Sequence, residues 1–279
     1  MRNFDEQSIT EAVLERMNQA PSIRAREVSE ALVRHLHAFV REVRPTQEEW
    51  LYGIEFLTRV GQLCSDGRQE FILLSDTLGV SMLVDALNHA LPEGATETTV
   101  LGPFYVPNPP VQPLGADLGA GQTGEPLVVQ GTVSGPDLGP IAGAWVDTWQ
   151  ADADGYYDLQ SESDLRLRAR FLTDAQGRFW FRTVVPSSYP IPDDGPVGQM
   201  LAAQGRHPYR PAHVHFMIGA PGYQTLVTHV FLAGDPYLDS DVVFGVKDSL
   251  IRGLERDEAG VARLRYDFVL APARVPTGL

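Results

Sequence analysis

The segment Tyr209-Arg210-Pro211-Ala212-His213-Val214-His215-Phe216-Met217-Ile218 sets two imidazoles two residues apart in an apolar run suited to a β-strand. Alternate residues of a strand leave the same face, so His213 and His215 would project together. Two neutral imidazoles on one rigid face make half of a metal site, and Arg210 adds a fixed cation nearby. A bare His-x-His also occurs among satisfied core or surface histidines, so the metal reading depends on ligands from elsewhere. Cys64 is the only cysteine, which excludes an intrachain disulfide and a zinc site built on several thiolates. The missing ligands must then be His, Tyr, Asp or Glu. Nucleophile chemistry has less support: there is no Gly-x-Ser-x-Gly and no Gly-rich phosphate loop after a strand, and Cys64 sits in a helical region without a nearby His.

The elements that must position these residues change character near residue 100, since only 3 of the 21 prolines and 5 of the 26 glycines precede Leu101. Residues 1–100 read as a helical part and 101–279 as a β-rich one. Val28, Ala31, Leu32, His35, Leu36, Phe39, Val40 and Val43 recur at helical spacing, with Pro21 suited to the first turn. Thr46 followed by Glu49 forms a capping-box pattern ahead of a second helix, and a third helical run covers Glu70 to Leu91. Strands are expected at 127–133, 144–149, 178–185, 214–218, 225–232 and 264–270, with Asp174-Ala175-Gln176-Gly177 as a hairpin connection. The fold class is therefore mainly β, an antiparallel β-sandwich carrying the chemistry, preceded by a helical dimerisation or linker domain. The Pro- and Gly-rich stretch 103–126 is too long for a turn and is expected as a loop near the site.

A chain of 279 residues with 43% apolar content can bury a full core. Its net charge of −14 argues against a nucleic-acid surface or a basic membrane anchor. No leader-like or membrane-spanning apolar run is present, so the expectation is a soluble cytoplasmic protein and not a membrane protein.

Six motifs occur in order: LLSDTLGVSMLVDALNH (73–89), LGPFY (101–105), WQADADGYYD (149–158), PSSYPIPDDGP (186–196), GRHPYRPAHVHFMI (205–218) and AGDPYL (233–238). With these the sequence resembles, over most of its length, the intradiol ring-cleaving dioxygenases. That resemblance implies one Fe(III) per subunit held by Tyr157, Tyr189, His213 and His215, with Tyr157 preferred to the adjacent Tyr156 by its place after Gly155. Phenolate ligands suit a hard trivalent ion, because a hydroxyl of pKa about 10 needs a strong Lewis acid to ionise at neutral pH.

The resemblance further implies that an ortho-diphenol and O2 react so that the ring opens between the hydroxylated carbons, giving a muconate-type diacid. Tyr189 would leave the metal with a substrate proton, and Arg210 would stabilise charge developing on the ring, its alternative being a structural ion pair. Leu73, Asp76, Leu101, Gly102, Pro103, Phe104, Ile191, Pro192 and Val243 match pocket positions, with Asp76 read either as a buried partner or as an exposed helix residue. Two features favour the hydroxyquinol branch over catechol or chlorocatechol enzymes: the loop Tyr189-Pro190-Ile191-Pro192, and Thr228-His229 where catechol enzymes carry Thr-Gln. His229 then either orients an extra substrate hydroxyl or packs in its strand. A homodimer through the N-terminal helices, in some members with phospholipid between subunits, completes what the resemblance implies. A non-catalytic sandwich carrier and a zinc hydrolase are the competing classes, the second lacking an obvious third ligand beside His213 and His215.

Overall fold

The computed structural model describes residues 2–65, 67–89, 91–137, 139–160 and 165–273. Ala90, inside the expected third helical run, and residues 274–279 of the expected β-rich part lie outside the described residues. Packing divides the chain into two compact units, Met1–Arg59 and Val60–Leu279.

In the first unit α1 (Ile9–Met17) and α2 (Ile23–Val43) are followed by α3 (Gln47–Gln62), which runs across the division. The Ser22 hydroxyl accepts from the Ala25 N–H at 3.2 Å, so Ser22 caps α2 and Pro21 lies ahead of the cap rather than in the first turn. The expected capping box starts α3: the Thr46 hydroxyl accepts from the Glu49 N–H at 3.2 Å, and the Glu49 carboxylate accepts from the Thr46 N–H at 2.8 Å. The apolar stripe of α2 is not an intrachain core, since Val28, Leu32, Leu36, Phe39, Val40 and Val43 all stand exposed.

In the second unit the expected run from Glu70 is two helices, α4 (Glu70–Thr77) and α5 (Val80–Asn88). They break at Gly79, whose φ of 73° lies in the left-handed region that costs glycine nothing. Twelve strands follow among the described residues: β1 (Pro126–Ser134), β2 (Trp145–Gln150), β3 (Arg168–Leu172), β4 (Arg178–Val184), β5 (Tyr189–Pro190), β6 (Tyr209–Arg210), β7 (His213–Gly219), β8 (Leu226–Leu232), β9 (Ile251–Arg252), β10 (Glu255–Arg256), β11 (Ala262–Arg265) and β12 (Phe268–Val269). A short helix, α6 (Pro196–Ala203), separates β5 from β6 and starts on a proline, where the missing N–H is not needed.

One sheet runs β10-β11-β1-β12 with β4 also on β1, a second runs β3-β2-β7-β8-β9, and β5 and β6 form a small ribbon. Both large sheets are mixed, which corrects the purely antiparallel expectation: β1 pairs parallel with β11 and β12, and β8 pairs parallel with β9. These late strands reach their partners by longer crossings, so no hairpin reverses their direction. The turn at Asp174–Gly177 has the anticipated chemistry, with the Asp174 carboxylate accepting from the Gln176 and Arg178 N–H groups at 2.9 Å each. It is not a hairpin, because β3 and β4 belong to different sheets.

Between the sheets lie Val129, Val146, Phe171, Phe179, Phe181, Val214, Phe216, Ile218, Val230 and Phe268. Phe171 and Phe181 stack across the gap with centroids 5.1 Å apart, and Phe216 meets Phe268 at 4.8 Å. Phe216→Ala should lower the unfolding free energy by about 3–5 kcal/mol and Phe216→Leu by distinctly less. Denaturant titration checks this, and equal losses for the two would contradict cavity formation as the cause.

Candidate metal centre

Register decides where the chemistry sits. His215 lies opposite Trp149 on β2 and His229 on β8, and Trp149 lies opposite Arg168 on β3, so one row across four strands reads Arg168, Trp149, His215, His229. Val214 and Phe216 point into the core between the sheets. By strand alternation His213 and His215 therefore occupy the other face. Loops bury that outer face: Gly102, Phe104 and Tyr105 from one segment, Gly155 to Asp158 from another, and the β5–β6 ribbon.

Each ligand candidate is completely or almost completely buried. The Pro211 carbonyl lies 2.7 Å from His213 Nδ1, which must carry the proton, leaving the Nε2 lone pair free. That Nε2 is 3.0 Å from His215 Nε2, and the Tyr157 hydroxyl is 2.8 Å from His215 Nε2 and 3.5 Å from His213 Nε2. Donors that share one ion at ordinary metal–nitrogen distances stand about 3.0–3.5 Å apart, so these three converge as a metal's ligands do. Tyr157 is wholly buried while Tyr156 is 60% exposed at the rim. Tyr189 comes in from β5, its ring edge-on to Tyr157 at 5.1 Å. The two tyrosine loops approach so closely that a Cβ on Gly155, where φ is 87°, would lie 3.0 Å from the Tyr189 Cβ.

The β5–β6 ribbon places Arg210 directly opposite Tyr189. Arg210 is buried, and Asp241 holds it through Nε at 3.1 Å and Nη2 at 3.3 Å. Its Nη1 lies 3.5 Å from His213 Nε2 and its Nη2 3.4 Å from His229 Nδ1. His229 stacks on His213 at 4.6 Å, and its Nε2 has no hydrogen-bond partner among the described residues. His213, His215 and His229 thus form a cluster whose ligand atoms lie within 4.8 Å of one another. His229 presents Nδ1 to Arg210, whereas His213 and His215 share their Nε2 edge with Tyr157.

Burial drives the Tyr157 phenol far above its usual pKa, the neighbouring Tyr189 adds to the rise, and the charges of Arg210 and Arg168 oppose it. Burial also raises Tyr189, and the charge of Arg210 is the main effect opposing the rise. Burial holds all three histidines well below the ordinary imidazole range, helped at each by Arg210. Neutral imidazoles beside phenols that ionise only for a strong cation form a donor set that fits a hard metal ion.

Of the anticipated pocket residues, Pro103, Phe104, Ile191 and Pro192 line the walls of two small openings, one of about 30 Å³ with Leu73 and one of about 380 Å³ with Tyr156. A Cβ on Gly102 would lie 3.4 Å from His215 Cε1, while Leu101 is 39% exposed. Val243 is buried beside Asp241. Asp76 is buried rather than exposed; burial raises its carboxyl pKa, while Ser81 and Arg210 oppose the rise. Stretch 103–126 is only partly a site loop: Phe104 and Tyr105 reach the centre, but Gln112, Gly115 and Leu118 bond to the edges of β3 and β4. A more open groove of about 410 Å³ along β1, β4 and β11 contains none of these residues.

Sequence reasoning missed Asp158, Arg168, Asp241, Arg68 and the stacking role of Trp149, whose ring lies 4.6 Å from that of His215. Arg68 lines both openings and pairs with buried Glu70 and with Asp194 at 2.9 Å each. Arg168 and Trp149 share a cross-strand row with His215, whereas Arg68, Asp158 and Asp241 meet their partners from outside the strands; a single sequence displays neither pairing.

A family model described as dioxygenase matches residues 100–272, and one described as catechol dioxygenase N terminus matches residues 23–96. The chain is 56% identical over 274 residues to a 6-chlorohydroxyquinol 1,2-dioxygenase of Cupriavidus pinatubonensis, covering 98% of this chain and 99% of the relative. It is 49% identical to a hydroxyquinol 1,2-dioxygenase of a Rhizobium species, covering 96% of each. A solved hydroxyquinol 1,2-dioxygenase from Pseudomonas putida DLL-E4 superposes with a TM-score of 0.90 at 46% identity, covering 96% of this chain and 99% of that one.

The neutral histidines make metal-free protein acid-sensitive. Unfolded imidazoles titrate near pH 6.5 while the buried ones stay neutral, so their stability is fully present above about 6.5 and falls as pH drops towards the lowered folded values. His229→Gln should therefore reduce the acid slope by about 1 kcal/mol per pH unit between roughly pH 6 and 5. Urea titrations at several pH values measure it; identical slopes would mean that His229 protonates without unfolding.

Proposed function

The chain belongs to the intradiol ring-cleaving dioxygenases, and on that premise we propose that it cleaves hydroxyquinol, benzene-1,2,4-triol, with O2 to 3-hydroxy-cis,cis-muconate, which tautomerises to maleylacetate. The observation that carries this reading is the meeting of Tyr157, Tyr189, His213 and His215 beside buried Arg210, with a buried acid, Asp76, close enough to feel that arginine. The cofactor we assign is Fe(III), one per subunit. When bound, it would supply a Lewis acid that activates an ortho-diphenol towards O2.

The protein's own groups do the rest. Tyr189 accepts a proton from a substrate hydroxyl at its phenol oxygen, which is the more readily ionised of the two because the charge of Arg210 offsets its burial. Tyr157, His213 and His215 keep the metal in place. Arg210, immobilised by Asp241, supplies positive charge where the ring becomes anionic, and burial makes that charge count for more than it would in water. Leu73, Phe104, Ile191, Pro192 and Val243 exclude water around the ring. Asp76 is the group we assign to the third hydroxyl, with His229 holding Arg210 from its far side.

A chlorinated hydroxyquinol is a second substrate reading, favoured by the relative at 56% identity. Catechol is the runner-up. The exposed stripe of α2 supports a homodimer built on the N-terminal helices, with phospholipid in the apolar space as a further assignment. Among the described residues no helix is long and apolar enough to cross a membrane, and we assign the protein to the cytoplasm.

Iron-loaded protein should absorb in the visible through phenolate-to-iron charge transfer, change colour on anaerobic addition of hydroxyquinol, and release maleylacetate when O2 is admitted. Colourless, iron-free protein from iron-replete cells would sink the whole reading, and faster turnover of catechol would sink the substrate. Arg210→Met should lower kcat by about 10²–10³-fold with iron retained. Asp76→Ala should reduce the hydroxyquinol preference over catechol by about tenfold or more. A chain lacking the first two helices should be monomeric where the intact chain is dimeric.

A further inference from the structure

Arg168 stands outside the ligand set and outside the substrate pocket, yet it is only 4% exposed and commits every arm of its guanidinium. Its Nε donates to Asp158 Oδ2 at 2.5 Å, its Nη2 donates to Asp158 Oδ1, and its Nη1 donates to the Phe104 carbonyl at 3.0 Å. Both partners belong to Tyr157. Asp158 follows it in the chain, and its carboxylate also accepts from the Leu159 N–H at 2.9 Å and the Arg166 N–H at 3.0 Å. Phe104 lies flat against the Tyr157 ring, with centroids 4.3 Å apart and planes 17° from parallel. The Tyr157 N–H is itself tied to Gln160 Oε1 at 2.7 Å.

We propose that Arg168 is the positioning residue of the centre, clamping the backbone that follows Tyr157 and the ring stacked on it so that the phenol oxygen stays on the histidine pair. This rests on the reading of Tyr157 as a metal ligand. The chemistry demands arginine. A planar fork can satisfy a carboxylate with two donors and still direct a third at a carbonyl, which an ammonium cannot do in one fixed geometry. The register supplies the aim, since Arg168 heads the cross-strand row that continues through Trp149 to His215, and strand β3 therefore fixes its origin relative to the histidines. The positive charge it brings also opposes the burial of a phenolate at Tyr157.

Among the described residues no such fork clamps the segment beside Tyr189, whose neighbour across the ribbon is Arg210. The clamp thus serves one phenol and leaves the other to its separate partner.

The test compares iron-loaded wild type with Arg168→Lys and Arg168→Gln, before any substrate is added. Release of iron to excess EDTA should be about tenfold faster in both variants, the size of effect typical of groups that orient metal ligands. The visible phenolate band should move to longer wavelength in Arg168→Gln, where a cation near the donor is lost, and less in Arg168→Lys. A purely structural arginine would lower thermal stability while leaving band position and iron release within twofold of wild type, which overturns the proposal. Should neither variant fold, Phe104→Leu removes the stacked ring and spares the ion pair; faster iron release from it supports the clamp and an unchanged rate refutes it. Wild type without a visible band would sink the assigned function and this inference together, whereas a normal wild-type band with unaltered variants sinks the clamp alone.

Discussion

The alternation of β7 is the constraint on which the rest depends. Val214, Phe216 and Ile218 belong to the apolar layer between the sheets, so His213 and His215 must leave by the opposite face. That face would ordinarily meet water. Here it is roofed by irregular segments, which turns a surface into an interior where Trp149 Nε1, His215 Nδ1 and His229 Nε2 have no hydrogen-bond partner among the described residues, while the charged groups are paired. The partners are arranged as ion pairs on the same face: Arg210 with Asp241, Arg168 with Asp158, and Arg170 with Asp147. Each pair also fastens a loop. Asp241 accepts the Gly245 N–H at 2.9 Å, and Arg168 reaches the Phe104 carbonyl at 3.0 Å.

Legibility in the sequence followed locality. The capping box before α3, the turn at Asp174 and the strand at His213 depend on neighbours a few residues apart, and each formed as its local chemistry dictates. What depended on distant pairing was not legible. The same Asp174 turn joins two sheets instead of two neighbouring strands, because the choice of partner belongs to the assembled sandwich. Gly79 interrupts a run whose apolar spacing continues through it, and the final strands run parallel to β1 because crossings set their direction. His213 and His215 were candidates by their spacing, but Tyr157 and Tyr189 could be named only through the resemblance. Arg168 needed the register, and Asp241 a loop contact with Arg210 31 residues away in sequence.

The two phenols differ in how they are held, and the difference is chemical as well as mechanical. Tyr157 is fixed on its ring face by Phe104, through its own N–H by Gln160, and next door through Asp158. Tyr189 sits on a two-residue strand whose single pairing element is β6. Its phenol feels Arg210 as the largest effect opposing burial, whereas at Tyr157 the effect of Tyr189 comes first and works with burial.

In the proposed reaction one phenol must stay while the other departs with a proton, and a symmetrical pair would give no reason for either to do so. The asymmetry answers that requirement. A phenol oxygen beside a fixed guanidinium could carry negative charge without a metal bond and so serve as the base for a substrate proton. Tyr157 also feels Arg210 and Arg168, but burial and the neighbouring Tyr189 outweigh them and its mechanical hold is tighter, so leaving would cost it more. The proposed roles accord with the placement of the two arginines: Arg210 lies across the ribbon from Tyr189, and Arg168 is paired with Asp158 next to Tyr157.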